Sequence, residues 1–153
     1  MISRPRFISD KSLSKGRREQ MMDARFLRNE MLWGKEGQAR LARAHVILFG
    51  LGGVGSYVAE CLARSGIGEL TLVDGDTVAL SNLNRQLEAL SSTIGLPKAE
   101  AVARRIAEIN PEAVLHPMQA LYNADNRPLF FPEGCHYDYI VDAIDLVSCK
   151  LDL

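Results

Sequence analysis

Three glycines between a predicted strand and a predicted helix provide the first indication of chemistry in this sequence. Residues 45–50 form a continuous apolar run typical of a strand buried on both faces, and residues 50–55 then read G-L-G-G-V-G. In such a G-x-G-x-x-G turn, Gly50 permits the sharp reversal, Gly52 lets phosphate oxygens approach the backbone, and Gly55 allows helix and strand to pack closely. The helix N-terminus adds amide donors, so the spacing predicts a nucleotide-binding turn.

A carboxylate lies where the ribose of such a nucleotide is expected. Asp74 follows Gly55 by 19 residues and ends the second predicted strand, ELTLVD. At that position a carboxylate can accept hydrogen bonds from both ribose hydroxyls. Taken alone, this unit is typical of NAD-dependent dehydrogenases, so the residues that follow must distinguish between nucleotides.

The segment after Asp74 favours a nucleoside triphosphate over NAD. It adds five polar side chains suited to phosphate or metal contacts: Asp76, Asn82, Asn84, Arg85 and Lys98. Hydride transfer needs no pair of cations beside the phosphates, whereas displacement at phosphorus gathers negative charge that fixed donors must meet. Arg85 and Lys98 therefore indicate a triphosphate, while the two asparagines are also common turn residues.

A second acidic pair lies at the end of the last predicted strand, in the stretch I-V-D-A-I-D. Asp142 is the last residue of the last strand candidate, residues 138–142, and Asp145 follows three residues later. Ligands of open α/β sheets bind beyond the carboxyl ends of the strands, so this pair is expected to face the same crevice as the glycine turn. A carboxylate there can hold Mg²⁺ that bridges the phosphates, and the alternative role is to cap the following helix.

The elements that must position these residues alternate between strands and helices. Strands are predicted at residues 45–50 and 69–74, around 113–119 and at 138–142, and helices over 54–66 and from Pro97 to Ile109. This alternation predicts a Rossmann-like α/β fold with a mostly parallel sheet flanked by helices. His116 and Pro117 lie inside the third strand candidate, which favours an edge position for it.

A helical segment is predicted before the first strand. One helix begins near Arg17 and ends at Gly34, and a shorter one follows over residues 35–44. The first helix is expected to place five apolar side chains near a common face, with the first two of them packed in the core: Met21, Met22, Phe26, Met31 and Leu32. The chain is then expected to divide into a flexible N-terminus (residues 1–16), the helical segment (17–44) and a nucleotide-binding Rossmann-like domain (45–153).

Composition and charge limit the class of protein. The chain has 153 residues, of which 47% are hydrophobic and 24% charged, as in an ordinary globular domain. The net charge is -1, so no global basic field is available for nucleic acid, although residues 1–30 alone carry a net charge of +4. Any contact with nucleic acid must therefore be local.

The three cysteines and the N-terminus indicate a cytoplasmic protein. Cys61, Cys135 and Cys149 form no C-x-x-C pair, which argues against a zinc knuckle or a dithiol centre, and Cys61 is expected in the core. The first ten residues lack the apolar region of a signal peptide, and no apolar run approaches the ~20 residues that span a bilayer.

Taken together, the motifs resemble those of the E1-like adenylyltransferase superfamily, which includes ThiF, MoeB, HesA and ubiquitin-activating enzymes. The resemblance rests on G-L-G-G-V-G, L-V-D-G-D-T-V-A-L-S-N-L-N-R-Q, G-L-P-K and V-D-A-I-D. The stretches R-F-L-R-N-E-M-L-W-G-K-E-G and Y-D-Y-I-V-D-A-I-D look most like the tRNA threonylcarbamoyladenosine dehydratase branch. That branch implies ATP-dependent adenylylation of a carboxylate, with cyclisation of N6-threonylcarbamoyladenosine at position 37 of tRNA.

The resemblance also implies a role for each matching residue. Those expected at the nucleotide are Gly50, Gly52, Gly53, Gly55, Asp74, Asp76, Asn82, Arg85, Gln86, Lys98 and Asp142. Asp145 corresponds to the aspartate associated with Mg²⁺. Arg28 corresponds to an arginine that in relatives reaches the triphosphate of the partner subunit, which implies a homodimer. Arg28, Arg85, Lys98 and Asp145 are the expected catalytic residues.

The resemblance leaves two other functions open. Members of the superfamily continue well beyond the V-D-A-I-D strand, so the chain is expected to be C-terminally incomplete and to lack the part that selects the substrate. One alternative is a ThiF- or MoeB-like adenylyltransferase that acts on the C-terminal glycine of a ubiquitin-like sulfur carrier protein. The other is a noncatalytic nucleotide-binding or dimerisation module.

Overall fold

The computed structural model describes residues 15–153, with side chains from residue 24 onward. The predicted flexible N-terminus, residues 1–16, therefore lies almost entirely outside the described residues. The side chains of Met21 and Met22 lie outside them as well.

Four parallel strands form a single sheet. They are β1 (His45–Phe49), β2 (Glu69–Val73), β3 (Val114–Met118) and β4 (Tyr139–Asp142), in the spatial order β3-β2-β1-β4. The parallel Rossmann-like sheet is confirmed, and so is the edge position of β3. The chain moves from β1 to one side of the sheet and later returns to its other side as β4. This reversal opens a crevice beyond the carboxyl ends of β1 and β4.

Within residues 15–153, five α-helices accompany the sheet. They are α1 (Lys15–Leu41), α2 (Gly55–Ser65), α3 (Lys98–Ile109), α4 (Arg127–Phe130) and α5 (Val147–Asp152). Gly34 interrupts α1 with φ 74° and ψ 169°, which confirms the predicted break between two helices. None of the helices in the described part of the chain is long and apolar enough to cross a membrane.

The central strands are buried on both faces because each face is covered by a different group of elements. On one face, side chains of β1 and β2 pack against α2 and α3; its fully buried members include Val46, Leu48, Leu70, Leu72, Ala59, Ala63, Val102 and Ile106. On the other face, Ile47, Phe49 and Val73 pack against Tyr122 and Phe130. The continuous apolar run of β1 follows directly from this double coverage.

Two expectations about side-chain placement are wrong: the common apolar face of the first helix and the position of Cys61 in the core. Phe26 is buried, but Met31 and Leu32 are 78% and 79% exposed. At 3.6 residues per turn, Met31 lies about 140° around the helix from Phe26, so the two cannot share a narrow contact face. Cys61 is likewise exposed, because the buried face of α2 carries Ala59 and Ala63 at a spacing of four.

Candidate functional site

A cavity of about 690 Å³ opens beyond the carboxyl ends of β1, β2 and β4. Ten of the predicted site residues line it: Gly50, Gly52, Gly53, Asp74, Asp76, Asn82, Arg85, Gln86, Lys98 and Asp145. Three others, Gly55, Asp142 and Arg28, are not part of its wall. The structure thus brings most of the predicted residues together around one space large enough for a nucleotide.

The glycine turn is shaped by two close backbone approaches. Gly50 has φ 84°, and a Cβ there would lie 2.6 Å from the carbonyl oxygen of Ala143, in the loop after β4. A Cβ on Gly55 would meet the carbonyl carbon of Gly50 at 2.8 Å and collide with its oxygen. Gly55 therefore lies beneath the turn, where it lets α2 pack closely, rather than facing the cavity.

Asp74 joins the end of β2 to the glycine turn. One carboxylate oxygen accepts the backbone N–H of Leu51 at 2.7 Å, and the other accepts the backbone N–H of Asp76 at 2.9 Å. These bonds fix the side chain in the cavity wall. Each oxygen keeps a further lone pair, so the carboxylate can still accept hydrogen bonds from a diol.

Lys98 presents a buried cation at the start of α3. Its side chain is 7% exposed, and its ammonium lies 2.9 Å from a carboxylate oxygen of Asp76, which is 65% exposed. The backbone N–H of Lys98 also donates to the carbonyl of Asp76. An ammonium has three donors, so Lys98 can hold Asp76 and still donate to an anion in the cavity.

Arg85 lies against the glycine turn. An added Cβ on Gly53 would lie 3.5 Å from Cγ and Cδ of Arg85, so the stem of this side chain covers the turn. Its guanidinium donates to the carbonyl of Ser81 at 3.1 Å and to the amide oxygen of Asn84 at 2.9 Å. A guanidinium has five N–H donors, so others remain for a phosphate.

Two asparagines of this loop support its shape. The side-chain oxygen of Asn82 accepts the backbone N–H of Ala79 at 2.8 Å across a 3-10 turn, Leu80–Asn82. Asn84 holds the Arg85 guanidinium. Both asparagines therefore support the structure of this loop, as is common for asparagine in turns. Asn82 also borders the cavity.

The two aspartates after β4 have different surroundings. Asp145 is exposed and lines the cavity, whereas Asp142 accepts the backbone N–H of Ile144 at 2.9 Å and pairs with the Lys150 ammonium at 2.6 Å. The carboxylate of Asp142 is thus bound by the following loop and by α5, and it does not form part of the cavity wall. Mg²⁺ prefers one or two carboxylates together with substrate phosphates, and Asp145 is a suitable oxygen donor of that kind.

Arg28 lies far from the cavity of its own chain. Two neighbours of Arg28 on α1 contact the turn that precedes β2, at the amino end of the sheet. Phe26 packs against Gly66, and the Asn29 amide donates to the carbonyl of Arg64 at 2.8 Å. Arg28 is exposed there.

Sequence reasoning missed a buried carboxyl behind the cavity. Glu88 is 2% exposed, and neither carboxylate oxygen has a hydrogen-bond partner among the described residues. Burial raises its pKa to about 6, against the opposing attraction of Lys98. The one available signal was an acidic residue in the otherwise apolar stretch L-E-A-L.

An apolar wall of the cavity was missed as well. Ala120, Leu121 and Tyr122 line it beside Phe49 and Val73. Tyr122 is fixed by a hydrogen bond from its hydroxyl to the carbonyl of Asp152 at 2.9 Å. Such a surface suits the flat apolar face of a nucleobase, and no motif in the sequence marks it.

The chain is similar to known enzymes across most of its length. Residues 26–153 match the sequence model of the ThiF family. The tRNA threonylcarbamoyladenosine dehydratase of Bacillus subtilis (strain 168) is 46% identical over 128 residues, which cover 84% of this chain and 50% of that protein. The molybdopterin-synthase adenylyltransferase of Escherichia coli (strain K12) is 36% identical over 118 residues, 77% of this chain and 46% of that protein.

A solved structure shows the same architecture. The crystal structure of the E. coli tRNA N6-threonylcarbamoyladenosine dehydratase in complex with ATP superposes with a TM-score of 0.81 at 42% identity. The match covers 85% of this chain and 53% of that one. The chain thus spans about half the length of the curated relatives it matches.

Proposed function

This chain belongs to the ThiF family, and we propose that it forms the nucleotide-binding part of an ATP-dependent enzyme that activates a carboxylate by adenylylation. The observation that carries the proposal is the convergence of Lys98 and Arg85 on the cavity that Asp74 also borders. Two cations at the phosphate end suit displacement at phosphorus, which NAD chemistry does not require.

In this proposal each part of the cavity has one task. Asp74 accepts the ribose hydroxyls, the amides of the glycine turn hold phosphate oxygens, and the apolar wall receives the adenine. Lys98 and Arg85 stabilise the charge that develops at the α-phosphoryl group. Asp145 would hold Mg²⁺, which when bound neutralises part of the phosphate charge.

The proposed reaction transfers adenylate to a carboxylate. A carboxylate oxygen of the substrate attacks the α-phosphorus of ATP, the bond from phosphorus to the bridging oxygen of the pyrophosphate breaks, and pyrophosphate leaves. The product is an acyl-adenylate. Its AMP group is a far better leaving group than oxide, so a nucleophile within the same substrate can then close a ring and release AMP.

We propose N6-threonylcarbamoyladenosine at position 37 of tRNA as the substrate, which places the reaction in the cytoplasm. The proposal is supported by 46% identity to a protein named for this reaction, against 36% to a molybdopterin-synthase adenylyltransferase. The C-terminal glycine of a ubiquitin-like sulfur carrier protein is the second candidate. Both substrates carry the carboxylate that the cavity chemistry needs.

A binding experiment tests the proposal at the level of this chain. We expect ATP to bind without competition from NAD, and Lys98→Ala to weaken ATP binding by on the order of 100-fold because it removes a charge-assisted donor. Lys35→Ala is the matched control, since Lys35 is exposed on α1 and does not line the cavity. Displacement of ATP by NAD would contradict the proposal.

A turnover experiment separates the candidate functions. Pyrophosphate release with tRNA that carries N6-threonylcarbamoyladenosine supports the first function, and release with a sulfur carrier protein supports the second. ATP binding without pyrophosphate release in either case supports a noncatalytic nucleotide-binding module.

The proposed enzyme is a homodimer in which Arg28 serves the cavity of the other copy. Arg28→Ala is then expected to reduce turnover by on the order of 10³-fold, as for other arginines supplied in trans. Mixing Arg28→Ala with Lys98→Ala chains should restore activity, because a mixed dimer contains one complete site. If mixing the two variants did not restore activity, Arg28 would not act across the dimer.

A further inference from the structure

A cluster of metal-binding side chains lies at the amino end of the sheet, opposite the nucleotide cavity. His45 and Glu69 are the first residues of β1 and β2, and the parallel register pairs them directly. His116 of β3 pairs with Thr71 of β2, two residues further along the same face. Strand pairing thus places two imidazoles and a carboxylate side by side.

The three ligand atoms are already close together. One carboxylate oxygen of Glu69 lies 2.7 Å from Nε2 of His116 and 3.6 Å from Nδ1 of His45. One ligand atom from each side chain lies within 4.8 Å of the others. Ligands at about 2.0–2.2 Å around a tetrahedral ion are separated by comparable distances, so small side-chain rotations suffice to enclose one.

The surroundings of His45 hold its ring in the orientation that a metal ligand needs. Nε2 lies 2.9 Å from the hydroxyl oxygen of Thr71, and the ring of Tyr137 packs edge-on at 4.5 Å between centroids. With the proton on Nε2 donated to Thr71, Nδ1 keeps its lone pair towards Glu69. Metal-bound histidines are commonly fixed by such a second hydrogen bond from the opposite ring nitrogen.

The charge and accessibility of the cluster also suit a cation. The carboxylate of Asp138 accepts the backbone N–H of His45 at 2.8 Å and adds negative charge nearby. The side chains of Glu69 and His116 are 37% and 47% exposed, which leaves a route for an ion from solvent.

We propose that His45, Glu69 and His116 form a binding site for a divalent transition-metal ion, with Zn²⁺ the best-suited occupant. Two imidazoles and one carboxylate favour Zn²⁺ and its neighbours in the first row over Mg²⁺ or Ca²⁺, which prefer all-oxygen sites. Three protein ligands leave one tetrahedral position for water. Because the ligands come from three adjacent strands, the bound ion would link β1, β2 and β3.

Metal titration of the chain without an affinity tag tests this proposal directly. Co²⁺ is expected to bind at one equivalent with visible d–d absorption bands, and Zn²⁺ to displace it, while Mg²⁺ at the same concentration does not compete. Calorimetry with Zn²⁺ supplies the affinity. His116→Ala and Glu69→Gln should each weaken Zn²⁺ binding by on the order of 100-fold, and His116 lies on an edge strand where the change is tolerated.

The third histidine of the chain provides the matched control. His136 is 83% exposed and lies outside the cluster, so His136→Ala should bind Zn²⁺ as the unmodified chain does. ATP binding should be the same in His116→Ala as in the unmodified chain, which keeps this test independent of the nucleotide site. Absence of the Co²⁺ bands, or equal Zn²⁺ affinity in His116→Ala, would overturn the proposal and leave Glu69–His116 as an ordinary ion pair.

Discussion

The two ends of the sheet recruit polar side chains in different ways. At the carboxyl end, the cavity depends largely on residues contributed by short contiguous segments, chiefly 50–54 and 74–86. At the amino end, His45, Glu69 and His116 are brought together by strand register. The first arrangement leaves a motif in the sequence, and the second leaves none.

The largest expected effect concerns the glycine beneath the turn. Gly55→Ala places a methyl group against the backbone of Gly50, which no side-chain rotation can relieve. We expect a loss of unfolding free energy of about 3 kcal/mol in urea denaturation. Gly53→Ala is the control, because its nearest neighbours are flexible Arg85 atoms at 3.5 Å. Equal stability of the two variants would show that the turn is less tightly packed than the structure indicates.

The next effect concerns the carboxylate that joins β2 to the turn. Asp74→Ala leaves the buried backbone N–H of Leu51 without its acceptor, which is expected to cost about 1–3 kcal/mol of unfolding free energy. Asp125→Ala, at an exposed position away from the cavity, should change stability by less than about 0.5 kcal/mol. Similar thermal unfolding midpoints for the two variants would contradict the structural role of Asp74.

The buried Glu88 should make stability depend on pH. Its folded-state pKa of about 6 exceeds the ordinary value of 4.5, so the folded state binds the proton more tightly. The resulting stability is fully present below pH 4.5 and is lost as pH rises through about 6, in total about 2 kcal/mol.

Glu88→Gln should remove this pH dependence and make the chain more stable above pH 7. Urea denaturation at several pH values measures the difference, with Glu112→Gln as the control at an exposed position. If the unfolding free energy of Glu88→Gln still changed with pH between 4.5 and 6 as it does in the unmodified chain, the pH dependence would belong to other groups.

The smallest effect is expected at the amino end. In metal-free buffer, His116→Ala should cost less than about 1 kcal/mol of unfolding free energy, because it breaks only a partly exposed pair with Glu69. With Zn²⁺ present, the unmodified chain should unfold at a higher temperature while the variant does not respond. A large cost without metal would mean that the pair itself holds the strands together.

Much of the fold could be predicted because its signals are local. The strands and their parallel arrangement followed from the alternation of apolar runs and helical patterns. The edge position of β3 followed from Pro117, which lacks a backbone N–H. The error at Met31 and Leu32 arose because periodicity shows which side chains share a face but not how wide a face the neighbouring elements cover.

The candidate site could be predicted only in part. Residue type and spacing correctly predicted the positions of the glycine turn, Asp74, Arg85 and Lys98. All of them border one cavity except Gly55, which supports the turn from beneath. Asp142 was grouped with Asp145 on spacing alone, although its carboxylate pairs with Lys150 of α5 and does not line the cavity. Glu88 was missed because burial of an acid depends on contacts across the fold.

The sequence by itself determined the local conformations of this protein: the turn that only glycine can form, the apolar strands and the polar loop beside them. Those features depend on neighbouring residues, whose sterics and hydrogen bonds act over a few positions. The tertiary structure alone decided which acids face the cavity and which side chains meet at the amino end of the sheet. Strand order and register set those distances, and they result from packing among residues far apart in the chain.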